Sequence, residues 1–141
     1  MDGRELHASL TTQKLTDAAM LQVPREGLRD IPYFSTDPRF VAVIARGSSQ
    51  GRLGPEGIRA ALFAQYLGES WVGFYGLEAV TTADADRREV SLREIWAYGE
   101  GLGRARVHRA GKVLLVVWHG GLSPEIWEAV NTKLVERLTA P

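Results

Sequence analysis

The stretch RARVHRAGKVLLVVWHGGLSPEIW, residues 104–127, decides the fold class of this chain. Its first part alternates basic and apolar residues, as a half-buried strand does. Val113–Trp118 is apolar throughout, as expected of a strand that is buried on both faces. Arg109–Gly111 separates the two segments and is typical of a hairpin turn. Ser123 can then cap a helix that Pro124 opens, so the stretch predicts a β-hairpin followed by a helix.

Upstream of the hairpin, further segments carry secondary-structure signals. We expect strands over Phe40–Ala45 and Trp71–Val80, where β-branched and aromatic residues run together. Pro55–Leu67 has apolar residues at helical spacing, and Ser91–Glu94 is a capping box that opens a short helix after a polar connection over Thr81–Glu89. These elements predict an α+β fold: a small mixed or antiparallel sheet of about four strands, with two longer helices and one short helix packed on it.

The first 38 residues differ from the rest of the chain. Three prolines fall within residues 24–38, so that stretch suits neither a long helix nor a central strand. Gln13–Leu21, which precedes them, can form a short helix. We therefore predict that residues 1–38 are a short helix and a proline-containing arm packed on a single α+β domain, residues 39–141.

Composition narrows the class of protein further. The chain has 141 residues, 17 of them basic and 17 acidic, and no cysteine, which excludes a disulfide scaffold, a thiol nucleophile and a cysteine-built metal site. The longest stretch without a charged residue, Val113–Pro124, is shorter than the about 20 apolar residues that a membrane span needs. We expect a cytoplasmic protein with no membrane partner. The balanced charge argues against nucleic acid as a partner.

A glycine-rich loop between the predicted strand at Phe40–Ala45 and the predicted helix after Pro55 is a candidate ligand site. Backbone N–H groups at a helix N-terminus attract anions, and two arginines can add charge-assisted contacts. One hypothesis is therefore a binding protein or minor enzyme for an anionic small molecule, such as a phosphorylated ligand or nucleotide. The candidate residues are Arg46, Gly47, Ser48, Ser49, Gly51, Arg52 and Gly54.

The same loop contains the pattern G-x-S-x-G over Gly47–Gly51. Together with His119–Gly121, this pattern resembles the nucleophile elbow and oxyanion loop of α/β-hydrolases, a resemblance that implies Ser49 as the nucleophile. The order departs from that family, because Arg52–Gly54 separates the pattern from the next helix and the histidine motif follows it. A serine hydrolase is thus the remote alternative; we name no catalytic residue and favour a protein that is not an enzyme.

A second candidate surface is basic. Arg104, Arg106 and His108 share one face of the first hairpin strand and can either bind phosphates or shield a strand edge from pairing. His7 and His119 are isolated from this group and from each other, so the spacing predicts no metal site, and no cofactor is indicated.

Four tryptophans are the most informative apolar residues, since aromatic side chains dominate both cores and interfaces. Our main hypothesis is a non-enzymatic interaction or regulatory domain that forms a homodimer or docks a partner protein. A homodimer would use Val113–Trp118 or the last helix. The element order is loosely similar to roadblock-type and profilin-like modules, which implies the same kind of role.

Overall fold

The computed structural model describes residues 19–20, 33–67 and 70–139, which form one antiparallel sheet with helices packed on it. The elements in chain order are β1 (Ala19–Met20), β2 (Tyr33–Ser35), α1 (Pro38–Ser48), β3 (Ile58–Leu67), β4 (Trp71–Ala79), α2 (Thr82–Ile95), α3 (Ala97–Gly101), β5 (Ala105–Ala110), β6 (Val113–Gly120) and α4 (Pro124–Thr139). Across the sheet, β1 and β2 both pair with β3, and the order continues β4, β6, β5. The predicted α+β class is confirmed, with six strands.

Different helices cover the two faces of the sheet. Successive side chains of a strand point to opposite faces, so neighbouring parts of β5 contact different helices. Arg109 forms an ion pair with Glu89 of α2, with 3.0 Å between Nη1 and Oε1. Arg106, on the other face, forms an ion pair with Glu128 of α4, at 2.7 Å. α2 and α4 therefore lie on opposite faces of the sheet, and α1 adds buried apolar residues to the same core.

The hairpin and the last helix form as the sequence predicts. β5 and β6 pair from Ala105 opposite Trp118 to Ala110 opposite Val113. Gly111 has a φ of 59° in the turn, a conformation that glycine adopts without strain. The Ser123 hydroxyl accepts a hydrogen bond from the backbone N–H of Ile126 at 3.3 Å, as an N-cap should. The strand predicted at Trp71–Val80 is β4.

The predicted strand over Phe40–Ala45 is wrong, because this segment lies inside α1. Asp37 caps the helix and accepts a hydrogen bond from the backbone N–H of Arg39 at 2.8 Å, with Pro38 following at the first helical position. Four of the six residues in Phe40–Ala45 are buried, and Val43 is half exposed. A short apolar run suits either a helix or a strand, and here the Asp-Pro start signal decides for the helix.

The predicted helix over Pro55–Leu67 is also wrong, because Ile58–Leu67 forms β3. This strand pairs with β4 along its length, from Ile58 opposite Ala79 to Leu67 opposite Trp71. Its middle residues are buried on both faces. Such a strand shows no alternation of polar and apolar residues, and its alanines and leucines favour a helix in isolation. Pairing with β4 overrides that local preference.

The predicted polar connection over Thr81–Glu89 is helical as well. Thr81 caps α2 by accepting a hydrogen bond from the backbone N–H of Asp84 at 3.1 Å. Ser91, predicted to open a short helix, lies within α2 instead. The sequence pattern does not predict this helix because its buried side has few apolar residues. The buried residues are Ala85, Arg88 and Leu92.

Most of the N-terminal segment lies outside the described residues. Of the helix predicted over Gln13–Leu21, only Ala19 and Met20 are described, and they form strand β1 rather than a helix. β2 runs along β3, and α1 begins at Pro38, so the predicted boundary between residues 38 and 39 falls inside a helix. The division into an arm and a domain stays a prediction.

Arg88 ties α2 to the loop before β3. It is 7% exposed, and its Nη2 donates hydrogen bonds to the carbonyl oxygens of Gly54 at 2.7 Å and Glu56 at 3.0 Å. We expect Arg88→Ala to lower the free energy of unfolding by about 1.5–3 kcal/mol, since the charge-assisted hydrogen bonds from the buried Arg88 to two loop carbonyls are lost. Urea unfolding followed by tryptophan fluorescence measures this change.

The matched control is Arg87→Ala, which removes the neighbouring, largely exposed arginine and its ion pair with Asp84. A much smaller effect is expected because exposed ion pairs contribute little. Equal losses in the two variants would contradict the role assigned to Arg88.

Candidate functional site

The glycine-rich loop follows the end of a helix instead of preceding the start of one. Ser48 and Ser49 are fully buried at the C-terminus of α1, and their hydroxyls donate hydrogen bonds to the carbonyl oxygen of Ala45 at 3.1 and 2.9 Å. A helix C-terminus carries partial negative charge. The helix dipole at this loop therefore disfavours an anion.

The backbone N–H groups of the loop are also engaged. Gly51 donates to the carbonyl oxygen of Arg46 at 2.7 Å, Arg52 to that of Ser49 at 3.1 Å, and Leu53 to the Ser49 hydroxyl at 2.9 Å. The structural premise of the anion site, free N–H groups at the start of a helix, is therefore wrong. Anion binding by the loop stays a prediction, but the geometry on which it was based is not found. The residues concerned are Arg46, Gly47, Ser48, Ser49, Gly51, Arg52 and Gly54.

Ser49 does not have the surroundings of a nucleophile. Its hydroxyl lies within hydrogen-bond distance of the carbonyl oxygens of Ala45, Arg46 and Leu53, and it accepts from the N–H of Leu53. A nucleophile elbow exposes its hydroxyl after a strand, whereas this hydroxyl is buried after a helix. These hydrogen bonds stabilise the C-terminal end of α1.

The basic surface of β5 is largely neutralised by α4. Both guanidinium nitrogens of Arg106 donate to Glu128, at 2.7 and 3.3 Å, and the group lies over the Trp127 ring. His108 Nε2 lies 2.6 Å from Asn131 Oδ1. Of the three predicted residues, only Arg104 has a side chain that is exposed and makes no hydrogen bond or ion pair with the described part of the chain.

His108 is a neutral contact between β5 and α4. Asn131 Nδ2 donates to the carbonyl oxygen of Trp127 at 2.8 Å, so Asn131 Oδ1 is left to accept the proton of His108 Nε2. Burial lowers the pKa of His108 below its ordinary value, while the hydrogen bond to Asn131 opposes that effect and the charge of Arg106 adds to it. Burial outweighs the hydrogen bond to Asn131, so the surroundings as a whole favour the neutral ring.

A different set of residues lines an open cleft of about 510 Å³ at one end of the sheet, between β4, β6 and α3. We call it the tryptophan cleft. Its walls are three half-buried indoles and its rim carries one cation; these four residues are Trp71, Trp96, Trp118 and Arg104. No Asp or Glu is among the described residues that line it.

Two strands build the cleft through a reciprocal pattern. Each strand contains Trp-x-Gly, and their antiparallel register places Trp71 opposite Gly120 and Trp118 opposite Gly73. A Cβ atom at Gly73 would come within 2.6 Å of the Trp118 ring, and one at Gly120 would overlap the Trp71 ring. Each glycine thus makes room for the indole from the other strand to lie across the sheet.

A hydrogen bond and aromatic stacking fix two of the three indoles, Trp96 and Trp118. Trp96, between α2 and α3, donates from its indole Nε1 to the carbonyl oxygen of Ser48 at 2.7 Å. It stacks on Trp118 with ring centroids 6.5 Å apart, and Trp118 stacks on Tyr75 at 4.8 Å. Aromatic side chains fixed in this way lose little conformational entropy when a ligand binds.

His119 borders the cleft without the free nitrogen that a general base needs. Its Nδ1 accepts the backbone N–H of Leu122 at 3.3 Å, and its Nε2 therefore donates to the carbonyl oxygen of Gly103 at 2.8 Å. Its ring also contacts Trp127. Within residues 19–20, 33–67 and 70–139, no group of three His, Cys, Asp or Glu side chains could hold a metal ion.

The homodimer surface expected at Val113–Trp118 lies inside the sheet. β6 pairs with β4 on one side and with β5 on the other, and its residues 114–117 are buried in the core of the same chain. The last helix, the other expected surface, leaves Val135 exposed. Dimerisation stays a prediction, and of the two predicted interfaces only the last helix is still accessible.

The sequence does not predict the tryptophan cleft, because tryptophan is common in both cores and interfaces and a single residue does not show which of the two it occupies. The repeated Trp-x-Gly of Trp71–Gly73 and Trp118–Gly120 was the available signal, since glycine in a strand often marks a close approach of another group. Scans against protein-family models, curated proteins and solved structures found no match for the chain. None of the helices in the described part is long and apolar enough to cross a bilayer.

The pH dependence of stability tests the placement of His108. Because its pKa is lowered on folding, the unfolded chain binds a proton near the ordinary value of 6.5 that the folded chain does not. Stability should therefore fall as the pH drops below 6.5, until the lowered pKa of the folded state is reached. We expect urea unfolding of His108→Gln to show a smaller loss between pH 7.5 and 5.5 than wild type. Identical losses would contradict the assignment.

Gly73→Ala tests the packing of the cleft floor. The added methyl group meets the Trp118 ring, which Tyr75 and Trp96 hold on either side, so we expect a loss of about 1–3 kcal/mol in unfolding free energy and altered tryptophan fluorescence. The control is Gly101→Ala, where the methyl group meets nothing within 4 Å. A Gly73→Ala protein as stable as wild type would show that the indole does not lie there.

Proposed function

We propose that this chain is a non-enzymatic interaction domain that docks a partner protein in the tryptophan cleft. The observation that carries the proposal is the group of three half-buried indoles, Trp71, Trp96 and Trp118, around a volume of about 510 Å³. Tryptophan is enriched among the residues that contribute most to binding at protein interfaces. A cleft of this size can accept a large side chain from a partner.

The surroundings of the cleft extend the apolar surface. Gly99 of α3 lines the cleft, and the same short helix and its end present Tyr98 and Leu102, which are 81% and 48% exposed. Large exposed apolar side chains beside a cleft are typical of an interaction surface. This arrangement supports a protein partner, which can cover both the cleft and α3.

The chemistry of the polar groups supports binding rather than catalysis. Ser49 is buried and hydrogen-bonded, and both ring nitrogens of His119 are occupied. A nucleophile needs a base within hydrogen-bond reach and an accessible attacking atom, and neither residue offers this. What the cleft offers instead is aromatic surface and one cation.

Selection from a random peptide library tests the proposal. Peptides selected on the immobilised protein should bind wild type and lose about tenfold or more in affinity to Trp71→Ala, because truncating a central aromatic contact costs about 2 kcal/mol or more. Val135→Ala is the matched control, since it shortens an exposed apolar side chain on α4. Thermal unfolding of each variant verifies that it is folded.

Indole ¹H–¹⁵N signals localise the bound peptide. The signals of Trp71, Trp96 and Trp118 should shift, whereas that of Trp127, which lies on the buried side of α4 and is 4% exposed, should not. If selection yields no peptide, or if selected peptides bind Trp71→Ala as tightly as wild type, the proposal is wrong.

A further inference from the structure

The charge at the tryptophan cleft comes from one residue. The hairpin region, residues 101–124, contains four basic side chains and no acidic one. Two of the four are neutralised by ion pairs, Arg106 with Glu128 and Arg109 with Asp86 and Glu89. The other two lie at opposite ends of the hairpin, Lys112 at the turn and Arg104 at the cleft.

The backbone of Arg104 is fixed while its side chain is exposed. Its N–H donates to the carbonyl oxygen of Gly99 at 2.9 Å, and its own carbonyl oxygen accepts from the N–H of His119 at 3.0 Å. These bonds join it to α3 and β6, two of the elements that line the cleft. The backbone of Arg104 is therefore fixed at the rim, and its exposed guanidinium group is open to a partner.

Two acidic side chains in the described part of the chain near this rim are directed elsewhere. Glu100 Oε2 accepts the backbone N–H of Val107 at 3.4 Å, on the outer edge of β5, and Glu128 is paired with Arg106 on the opposite face of the sheet. The described residues that line the cleft include an unpaired cation and no carboxylate, which favours an anionic group on the ligand. Although a cage of indoles alone would suit a quaternary ammonium group, Arg104 repels such a ligand.

We infer that the tryptophan cleft takes an aromatic side chain of a peptide segment in which an acidic residue adjoins it, and that Arg104 pairs with that acid. The ring would pack against the exposed parts of the three indoles while the guanidinium binds the carboxylate through two parallel hydrogen bonds. This inference rests on the proposed function and names the chemistry of the partner. Arg104 is then the residue that determines specificity.

Two isosteric peptides test the inference. The acidic probe is acetyl-Ser-Asp-Phe-Asp-Ser-amide, and the neutral probe has Asn in place of each Asp. Titrations followed by the four indole ¹H–¹⁵N signals should show the acidic probe binding wild type about tenfold more tightly than the neutral one at low salt. The preference should shrink at high salt, as screening predicts.

Variants assign the preference to one residue. Arg104→Gln should bind both probes with nearly equal affinity, whereas Lys112→Gln, which removes the same charge at the far end of the hairpin, should keep the preference for the acidic probe. Arg104→Gln changes an exposed side chain and should leave the thermal midpoint nearly unchanged.

The outcomes separate the inference from the proposal beneath it. If both probes shift the signals of Trp71, Trp96 and Trp118 with equal affinity, the charge preference is wrong and docking in the cleft stands. If neither probe shifts them at millimolar concentration, docking of such a segment is wrong as well. If adenosine monophosphate shifts them and neither peptide does, the cleft is a small-molecule site and both statements fall.

Discussion

The pairing of β4 with β6 is the contact on which both the sheet and the tryptophan cleft depend. These strands are separated in the chain by α2, α3 and β5, and their antiparallel register joins the two hairpins into one sheet. In that register each Trp-x-Gly motif supplies the glycine that the other strand's tryptophan needs. A shift by one residue would move every side chain to the opposite face, so the buried core and the cleft specify the same register.

Elements with strong local signals could be predicted from the sequence, and elements that depend on distant pairing could not. The hairpin at residues 105–120 and helix α4 have a turn, a cap and a clear apolar pattern, all within a few residues. β3 has a helix-like composition and becomes a strand only because β4 lies beside it. α2 buries an arginine where an apolar residue would have marked the helix.

The prediction of each candidate site depended on these secondary-structure assignments. The glycine-rich loop is a reasonable anion site only if a strand precedes it and a helix follows it. In the structure a helix precedes it and a strand follows it, so the loop lies at the negative end of α1 and its N–H groups are engaged. The cleft combines residues 71, 96, 104 and 118, which come from four separate places in the chain. Their identities could be read in advance, but their proximity requires the β4–β6 register.

The distribution of charges and rings is the main support for the proposed binding role. Two of the four basic groups of the hairpin region are neutralised by α2 and α4, and one of the other two, Arg104, lies beside the aromatic surface of the cleft. The most direct test is the set of nuclear Overhauser effects between the phenylalanine ring of the bound acidic pentapeptide and the protein. We predict contacts with the indoles of Trp71, Trp96 and Trp118 and none with Trp127. Contacts confined to another surface would contradict the account.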